Sequence, residues 1–274
     1  MINHKTKNKN PFISVIMPAY NEAGHISSSI EEVAKAFHDF DCSWELIILD
    51  DGSTDNTYEV AKRFSEKYPD NIIVKKNPMN IGKGRALKKA FHYVTGDYVV
   101  FIDADMDLHP NQIQTLFDIM QLNNADIVIG SKLHPNSLVH YPFQRKIISF
   151  VYYLLVKLLF GLPCHDTQTG LKLFRSEALA KIFPKILVKQ FAFDLEVLVN
   201  AHHLGYKLIE APIVLNNQRS WNRIGFAAIF RTTWDTLAIF YRMRILKYYD
   251  RIDYHRSKNL AKEFRKLRRG LSGS

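Results

Sequence analysis

The chain has 274 residues, of which 47% are hydrophobic and 23% are charged, and this length is ample for a globular protein with a real core. The composition excludes disordered, collagen-like and disulfide-scaffold proteins, and Cys42 and Cys164 are expected to be free thiols in a reducing compartment. Lysine and arginine outnumber aspartate and glutamate by 37 to 27. The resulting net charge of +10 favours an anionic partner: nucleic acid, a membrane surface or a phosphorylated substrate.

Apolar runs and helix-like stretches alternate along the first half of the chain. The apolar runs predict buried strands at residues 12–17, 44–49, 72–74, 98–102 and 127–129. The stretches between them predict helices at residues 23–37, 56–68, 84–94 and 110–122. This order predicts an α/β fold with a mostly parallel, Rossmann-like sheet that is covered by helices on both faces. Ligands of such sheets bind beyond the carboxyl ends of the strands.

Acidic residues collect at those strand ends. Segments 18–22, 50–55 and 103–107 follow the first, second and fourth predicted strands. For Ser53 and Asp55 we expect helix capping. Capping does not explain Asp103, Asp105 and Asp107, three acids within five residues whose charges would repel one another. A divalent cation with hard oxygen ligands explains them, which predicts Mg²⁺ or Mn²⁺.

Over roughly residues 12–248, the sequence resembles the family 2 glycosyltransferases of GT-A fold. The matching segments are SVIMPAYNE at 14–22, DDGSTD at 50–55, NIGKGR at 80–85, DAD at 103–105 and GSK at 130–132. Within that family the chain is most similar to the polyprenyl-phosphate (dolichyl-phosphate) hexosyltransferases. PFQRKIIS at 142–149 resembles the membrane-interface helix of dolichyl-phosphate mannose synthases. DTQTGLKLF at 166–174, FDLE at 193–196 and FYRMR at 240–244 resemble dolichyl-phosphate glucosyltransferases.

Two features depart from this pattern. The multi-span membrane tail of some relatives is missing, and the family's Arg-x-x-Gly-x-Ser-Lys segment is present only as QRSWNR at 218–223.

The resemblance implies a site residue by residue. The base and ribose pocket would be formed by Pro18, Tyr20, Glu22, Leu49 and Asp51, and Lys83, Asp103 and Ala104 would complete the nucleotide-sugar site. Asp103, Asp105 and Asp107 would hold the metal. The acceptor phosphate would be bound by Lys132, Arg145, Ser149, Arg219 and Arg223, with Asp105, Lys132 and Arg145 as the catalytic residues. Segment 82–85 leaves two interpretations open, an anion-binding helix start or an ordinary tight entry to a helix.

The implied activity is metal-dependent, inverting transfer of glucose or mannose from UDP-glucose or GDP-mannose to polyprenyl (dolichyl or undecaprenyl) phosphate. Such an acceptor is mostly dianionic at neutral pH and already nucleophilic, so it needs no general base. One alternative is transfer to a polysaccharide or cell-envelope glycan, with Asp194 or Glu196 as the general base. Another is a non-catalytic protein that binds sugar nucleotides. A nucleic-acid partner is not expected, because no aromatic–basic recognition motif accompanies the basic residues.

Four regions are expected: a disordered basic N-terminus at 1–11, a GT-A domain at 12–222, an amphipathic membrane-interface helix at 223–250 and a basic tail at 251–274. The most apolar run, residues 147–160, would be about 21 Å long as a helix, against a hydrocarbon core of about 30 Å. No signal peptide is recognised. We therefore expect a cytoplasmic protein held peripherally on the anionic inner face of the membrane, with Tyr152 and Tyr153 at the headgroup boundary. The oligomeric state stays open.

Overall fold

A seven-stranded sheet forms the centre of the molecule. The structure, a computed structural model, describes residues 10–40, 42–139, 143–188, 192–215 and 226–251, with backbone only at 143–146, 226–229 and 251. The strands are β1 (Phe12–Ala19), β2 (Ser43–Asp50), β3 (Ile72–Lys76), β4 (Tyr98–Phe101), β5 (Ile127–Ser131), β6 (Lys172–Arg175) and β7 (Leu208–Pro212). Their order across the sheet is β3-β2-β1-β4-β6-β5-β7.

All strand pairs are parallel except those of β6, which runs antiparallel to both β4 and β5. The mostly parallel sheet predicted from the sequence is thereby confirmed. Because β6 runs in the opposite direction, its first residue lies at the sheet edge where the parallel strands end. The loop that precedes β6 therefore reaches the same edge as the segments that follow β1, β2, β4 and β5.

Helices cover both faces of this sheet. They are α1 (Ile26–His38), α2 (Thr57–Lys67), α3 (Lys83–Ala90), α4 (Gln112–Asn123), α5 (Phe143–Phe160), α6 (Ser176–Ile182), α7 (Phe193–His203), α8 (Phe226–Phe240) and α9 (Tyr248–Arg251). Apolar residues of α1, α2 and α4 pack with one set of strand side chains, and those of α3, α5, α6 and α7 pack with the other. Alternate strand residues divide between the two cores: Val15 belongs to the first and Ile16 to the second.

The segments between strands and helices differ in detail from the prediction. Helix α1 begins at Ile26 rather than at residue 23, because Asn21 has a φ of 55° and residues 23–25 form turns. The carboxylate of Asp55 accepts the backbone N–H of Thr57, the first residue of α2, so it does satisfy a helix-start donor. Ser53 has a different role, since its hydroxyl accepts the backbone N–H of Asn21 and donates to Asp50.

Helices α5 and α8 lie against each other and present apolar side chains to solvent. The Tyr152 hydroxyl is 3.0 Å from Thr236 Oγ1, and the rings of Phe160 and Phe240 meet edge-on. Besides Ile147 and Ile148, seven large apolar residues stay exposed on this pair: Phe150, Val151, Leu154, Leu158, Phe230, Trp234 and Leu237. We call these seven residues the apolar helix face. None of the helices in the described ranges combines the length and the apolarity that crossing a bilayer requires.

Candidate active site

The ends of β1, β2 and β4 enclose a cavity of about 350 Å³. Its walls are formed by Pro18, Ala19, Tyr20, Glu22, Asp51, Asn80, Lys83, Asp103, Ala104 and Asp105. We call it the donor cavity. It brings together every residue that the sequence assigned to nucleotide-sugar binding except Leu49. Leu49 lies elsewhere: its side chain is fully buried in the core between the sheet and α3, because the residue sits on an inward position of β2.

Asp51 fixes one wall of the donor cavity. Its carboxylate accepts hydrogen bonds from the Asn77 amide at 2.8 Å, from the Ile81 N–H at 3.1 Å and from the Gly82 N–H at 2.9 Å. The N–H groups of Ile81 and Gly82, just before α3, are therefore occupied by the protein's own carboxylate. This favours the tight-entry interpretation of segment 82–85, and Gly82 adopts the φ of 93° that such an entry requires.

Lys83 and Asp103 form an ion pair where the donor cavity meets the acidic segment at 103–107. Desolvation opposes the charge on each group. For Lys83, the carboxylates of Asp103, Asp194 and Asp105 outweigh it and hold the pKa above its ordinary value. For Asp103, the ammonium groups of Lys83, Lys172 and Lys132 outweigh it and hold the pKa below its ordinary value. Both groups are therefore charged at neutral pH.

Gly170 permits this arrangement. A Cβ at position 170 would collide with Oδ2 of Asp103, so any larger residue would displace the carboxylate or the loop. The residue belongs to the segment that leads into β6. The antiparallel direction of that strand is what brings the segment against Asp103.

A smaller cavity, of about 80 Å³, lies beside this contact. It is lined by Asp103, Asp105, Asp107, Leu108, Lys132, Gln168, Gly170 and Leu215, and we call it the acidic cavity. The three aspartates that the sequence assigned to a metal thus face one space. They are not a preassembled cage: across the described ranges, no three His, Cys, Asp or Glu side chains are grouped closely enough to hold an ion by themselves.

The two carboxylates proposed as alternative general bases are engaged in internal contacts. Asp194 pairs at 2.7 Å with Lys172, whose side chain is 1% exposed. Glu196 is fully buried and accepts the N–H groups of Leu187 and Val188. Its other oxygen contacts Tyr249 and Arg242, which the chain supplies after α8. Glu196 thus has internal partners on both oxygens, and neither carboxylate lines the donor cavity or the acidic cavity.

The third cavity, of about 590 Å³, separates the strand ends from α5. It is lined by Lys132, Leu133, His134, Pro135, Ser137, Val139, Ile147, Ser149, Phe150, Tyr152, His165, Asp166, Thr167 and Gln168, and we call it the helix cavity. It contains Lys132 and Ser149, two of the five residues assigned to the acceptor phosphate. The side chain of Arg145 and all of Arg219 and Arg223 lie outside the described residues.

Tyr152 and Tyr153 differ from their expected place at a headgroup boundary. Tyr153 is buried and packs its ring against His165, with centroids 4.7 Å apart. Tyr152 lines the helix cavity, and burial raises its pKa to about 12, which keeps the hydroxyl protonated for its bond to Thr236. Exposed aliphatic and aromatic residues of α5, rather than these tyrosines, form its outer surface.

The three cavities share walls. Asp103 and Asp105 line both the donor and the acidic cavities, while Lys132 and Gln168 line both the acidic and the helix cavities. The sequence alone indicates no role for Asn80, Gln168 or Gly170. All three lie in segments that carried the resemblance, and that was the signal available for them. The result is a path from the ends of β1 and β2, past the acidic segment, to the apolar helix face.

Residues 14–183, more than half of the chain, match the model of glycosyl transferase family 2. The chain belongs to this family. It is therefore a glycosyltransferase, and its sheet with flanking helices is the GT-A fold. This glycosyltransferase is 31% identical over 251 residues to a protein of Trichomonas vaginalis named dolichyl-phosphate beta-glucosyltransferase ALG5A. The match covers 88% of this chain and 77% of that protein. It is 34% identical over 223 residues to the dolichyl-phosphate beta-glucosyltransferase of Dictyostelium discoideum, covering 76% of this chain and 68% of that protein.

Solved structures share the fold of this glycosyltransferase at low sequence identity. Mannosyl-3-phosphoglycerate synthase of Rubrobacter xylanophilus superposes with a TM-score of 0.65 at 14% identity, over 89% of this chain and 77% of that one. Glucosyl-3-phosphoglycerate synthase of Mycobacterium tuberculosis, solved with Mn²⁺, UDP-glucose and phosphoglyceric acid, superposes with a TM-score of 0.62 at 20% identity, over 84% and 80% of the two chains.

Proposed function

We propose that this glycosyltransferase moves glucose from UDP-glucose to a polyprenyl phosphate of the dolichyl type, giving a β-linked lipid phosphate sugar. The observation that carries the proposal is the row of three cavities with shared walls. It connects a site suited to a nucleotide with a space walled by an exposed apolar helix. The names of the relatives support the acceptor and the sugar, because the matches extend over three quarters or more of this chain.

The donor cavity suits the nucleotide. Tyr20 is 44% exposed at its mouth, and an exposed aromatic face can stack on a base. Glu22 lines the same cavity and can accept hydrogen bonds from base or ribose. Asp51 supports the cavity differently from the expected direct contact, since it already accepts three hydrogen bonds from segment 77–82.

The reaction would join the acceptor to the sugar at the acidic cavity. An oxygen of the dianionic acceptor phosphate attacks C1 of glucose, the bond between C1 and the diphosphate oxygen breaks, and UDP leaves with the electron pair. No proton has to be removed from the acceptor, which agrees with the internal contacts of Asp194 and Glu196. Lys132 lines the acidic and the helix cavities and supplies a cation between two anionic reactants.

The acidic cavity also fits a divalent cation. Mg²⁺ is commonly held by one or two carboxylates together with substrate phosphates, so carboxylates without a closed cage are a suitable donor set. Asp105 and Asp107 would hold the ion, since Asp103 is paired with Lys83. When bound, the ion would neutralise charge that develops on the leaving diphosphate.

We further propose that the protein works on an anionic membrane surface, at its cytoplasmic face. A polyprenyl chain stays in the bilayer, so its phosphate has to be met there. The apolar helix face lies on α5 and α8, and α5 also lines the helix cavity. Insertion of this face would place the mouth of the helix cavity near the headgroups.

The direct test is transfer by the purified full-length chain with a panel of donors and acceptors. UDP-glucose and GDP-mannose would each be offered with dolichyl phosphate, undecaprenyl phosphate and dolichol, in Mg²⁺, Mn²⁺ or EDTA. We expect a lipid-linked glucose product with UDP-glucose and a polyprenyl phosphate, with no product from dolichol or in EDTA. Transfer to dolichol, or none to either phosphate, would contradict the proposal.

A further inference from the structure

His165 and Glu210 form a dyad in the wall of the helix cavity. Nδ1 of His165 is 2.7 Å from Oε2 of Glu210, and Oε1 of Glu210 accepts the backbone N–H groups of His165 and Asp166 at 2.7 and 3.0 Å. Glu210 is on β7, and its side chain is only 11% exposed. The pair is not predictable from the sequence, because its two members are 45 residues apart.

The dyad fixes the orientation of the imidazole. With Glu210 accepting at Nδ1, that nitrogen carries a proton, and Nε2 lies on the opposite side of the ring. The ring also packs on Tyr153, whose hydroxyl accepts a hydrogen bond from Lys157 at 2.9 Å. His165 is nevertheless 51% exposed and lines the helix cavity, and within the described ranges no side chain or backbone group bonds its Nε2.

We propose that His165, oriented by Glu210, is a further binding residue for the acceptor phosphate. In the imidazolium form the ring donates Nδ1–H to Glu210 and Nε2–H to a phosphate oxygen, so both protons go to anions. This inference rests on the proposed function, and it adds His165 to a cavity wall that already contains the basic side chains of Lys132 and His134.

The other charged group of this wall is compatible with an anion. Asp166 uses its Oδ2 to accept the Lys132 N–H at 3.0 Å and the Thr169 hydroxyl at 2.6 Å. Its Oδ1 accepts the Gln168 N–H at 3.1 Å. Its charge is thus spread over two donors of its own loop and the backbone N–H of Lys132. Both His165 and Asp166 lie in the segment before β6, so one loop supplies Gly170 to the acidic cavity and His165 to the helix cavity.

Initial rates with farnesyl phosphate in detergent micelles, at saturating UDP-glucose, test the proposal. We expect His165→Gln to raise the acceptor KM about 10-fold or more, with the donor KM unchanged. His165→Arg should return the acceptor KM to within about 3-fold of the wild-type value, because a guanidinium also donates to phosphate. Glu210→Gln should give an intermediate KM, since it keeps an acceptor for the backbone N–H groups but removes the charge behind the ring.

The matched control is His203→Gln. His203 also pairs with a carboxylate, Asp250, but it lies at the end of α7 and lines none of the three cavities. We expect its acceptor KM to equal that of the wild type. An unchanged acceptor KM in His165→Gln, or a fall in kcat alone, would overturn the inference. A fall in melting temperature shared by His165→Gln and His165→Arg, with equal loss of acceptor binding, would also overturn it, because it would indicate a structural role.

Equilibrium binding separates this inference from the proposed function. Without donor, wild-type protein should bind farnesyl phosphate more tightly than farnesol, and His165→Gln should remove most of that difference. If wild-type protein shows this preference but transfers no glucose, the proposed function fails and the inference stands. If wild-type protein transfers glucose and His165→Gln binds farnesyl phosphate equally well, the inference fails and the proposed function stands.

Discussion

Asp105 is the residue at which the proposed metal dependence is best tested. Asp105→Asn keeps the side-chain shape and removes one charge from the acidic cavity, so we expect transfer to fall by about 100-fold or more. Rates across a range of Mg²⁺ and Mn²⁺ concentrations measure this effect. Asp118→Asn, an exposed change on α4, should leave the rate unchanged. Mg²⁺-dependent turnover at the wild-type rate in Asp105→Asn would remove this residue from the site.

Gly170 provides a second test at the same scale. Gly170→Ala places a methyl group against the Asp103 carboxylate, so we expect a large loss of activity while the sheet stays folded. Gly24→Ala is the control, because a Cβ at that turn meets nothing within 4 Å. Transfer assays and circular dichroism of both variants measure the outcome. Equal activity of the two variants would show that Asp103 tolerates displacement.

The sequence predicts which residues gather at the strand ends, but not how they pair. Pro18, Tyr20 and Glu22 follow one strand and Asp103 another, and parallel strands deliver both groups to one edge. Asp51 bonds the loop at 77–82, and Lys83 pairs with Asp103. Both contacts depend on how the loops fold, because the partners are 20 to 31 positions apart in the sequence. Residue type and spacing do not contain that geometry.

Strands with three or more consecutive apolar residues were predictable from the sequence. The five predicted strands are all present, and helix α5 (Phe143–Phe160) joins the interface-helix segment expected at 142–149 to the apolar run at 147–160. Strands β6 and β7 were not predicted. Strand β6 has four residues and begins with the buried Lys172, whose charge is offset by Asp194, a partner 22 residues away. A short strand that starts with a lysine has no apolar periodicity to recognise.

Glu196 on α7 bonds Arg242 and Tyr249, which lie in the segment after α8. Glu196→Ala removes the acceptor for two backbone N–H groups, Tyr249 and Arg242, so we expect the free energy of unfolding to fall by about 3–5 kcal/mol. Tyr249→Phe should cost about 1–2 kcal/mol. Glu177→Ala, an exposed change on α6, should stay within about 0.5 kcal/mol of the wild type. Urea unfolding measures all three, and a Glu196→Ala protein as stable as Glu177→Ala would contradict the role assigned to this contact.

At the scale of the whole molecule, the apolar helix face and the helix cavity are adjacent, and this arrangement allows the proposed contact with a bilayer to be tested. Leu158→Asp changes a residue of that face that is 84% exposed, so folding should be unaffected while sedimentation with anionic liposomes decreases. Leu122→Asp is the matched control, because Leu122 is 85% exposed on α4, outside that face. Equal liposome binding by the two variants would argue against insertion of α5.

The antiparallel direction of β6 brings the loop before it to the acidic and helix cavities, and this placement affects how specificity can change. The donor cavity is built entirely from residues 18–105, whereas the helix cavity is built entirely from residues 132–168. Two separate stretches of chain therefore encode the proposed nucleotide side and the proposed lipid side, and they meet through the narrow acidic cavity. A chimera that exchanges residues 132–168 between members of the family would change the acceptor while keeping the sugar donor. In such a lineage, acceptor preference can diverge without any compensating change in the nucleotide pocket.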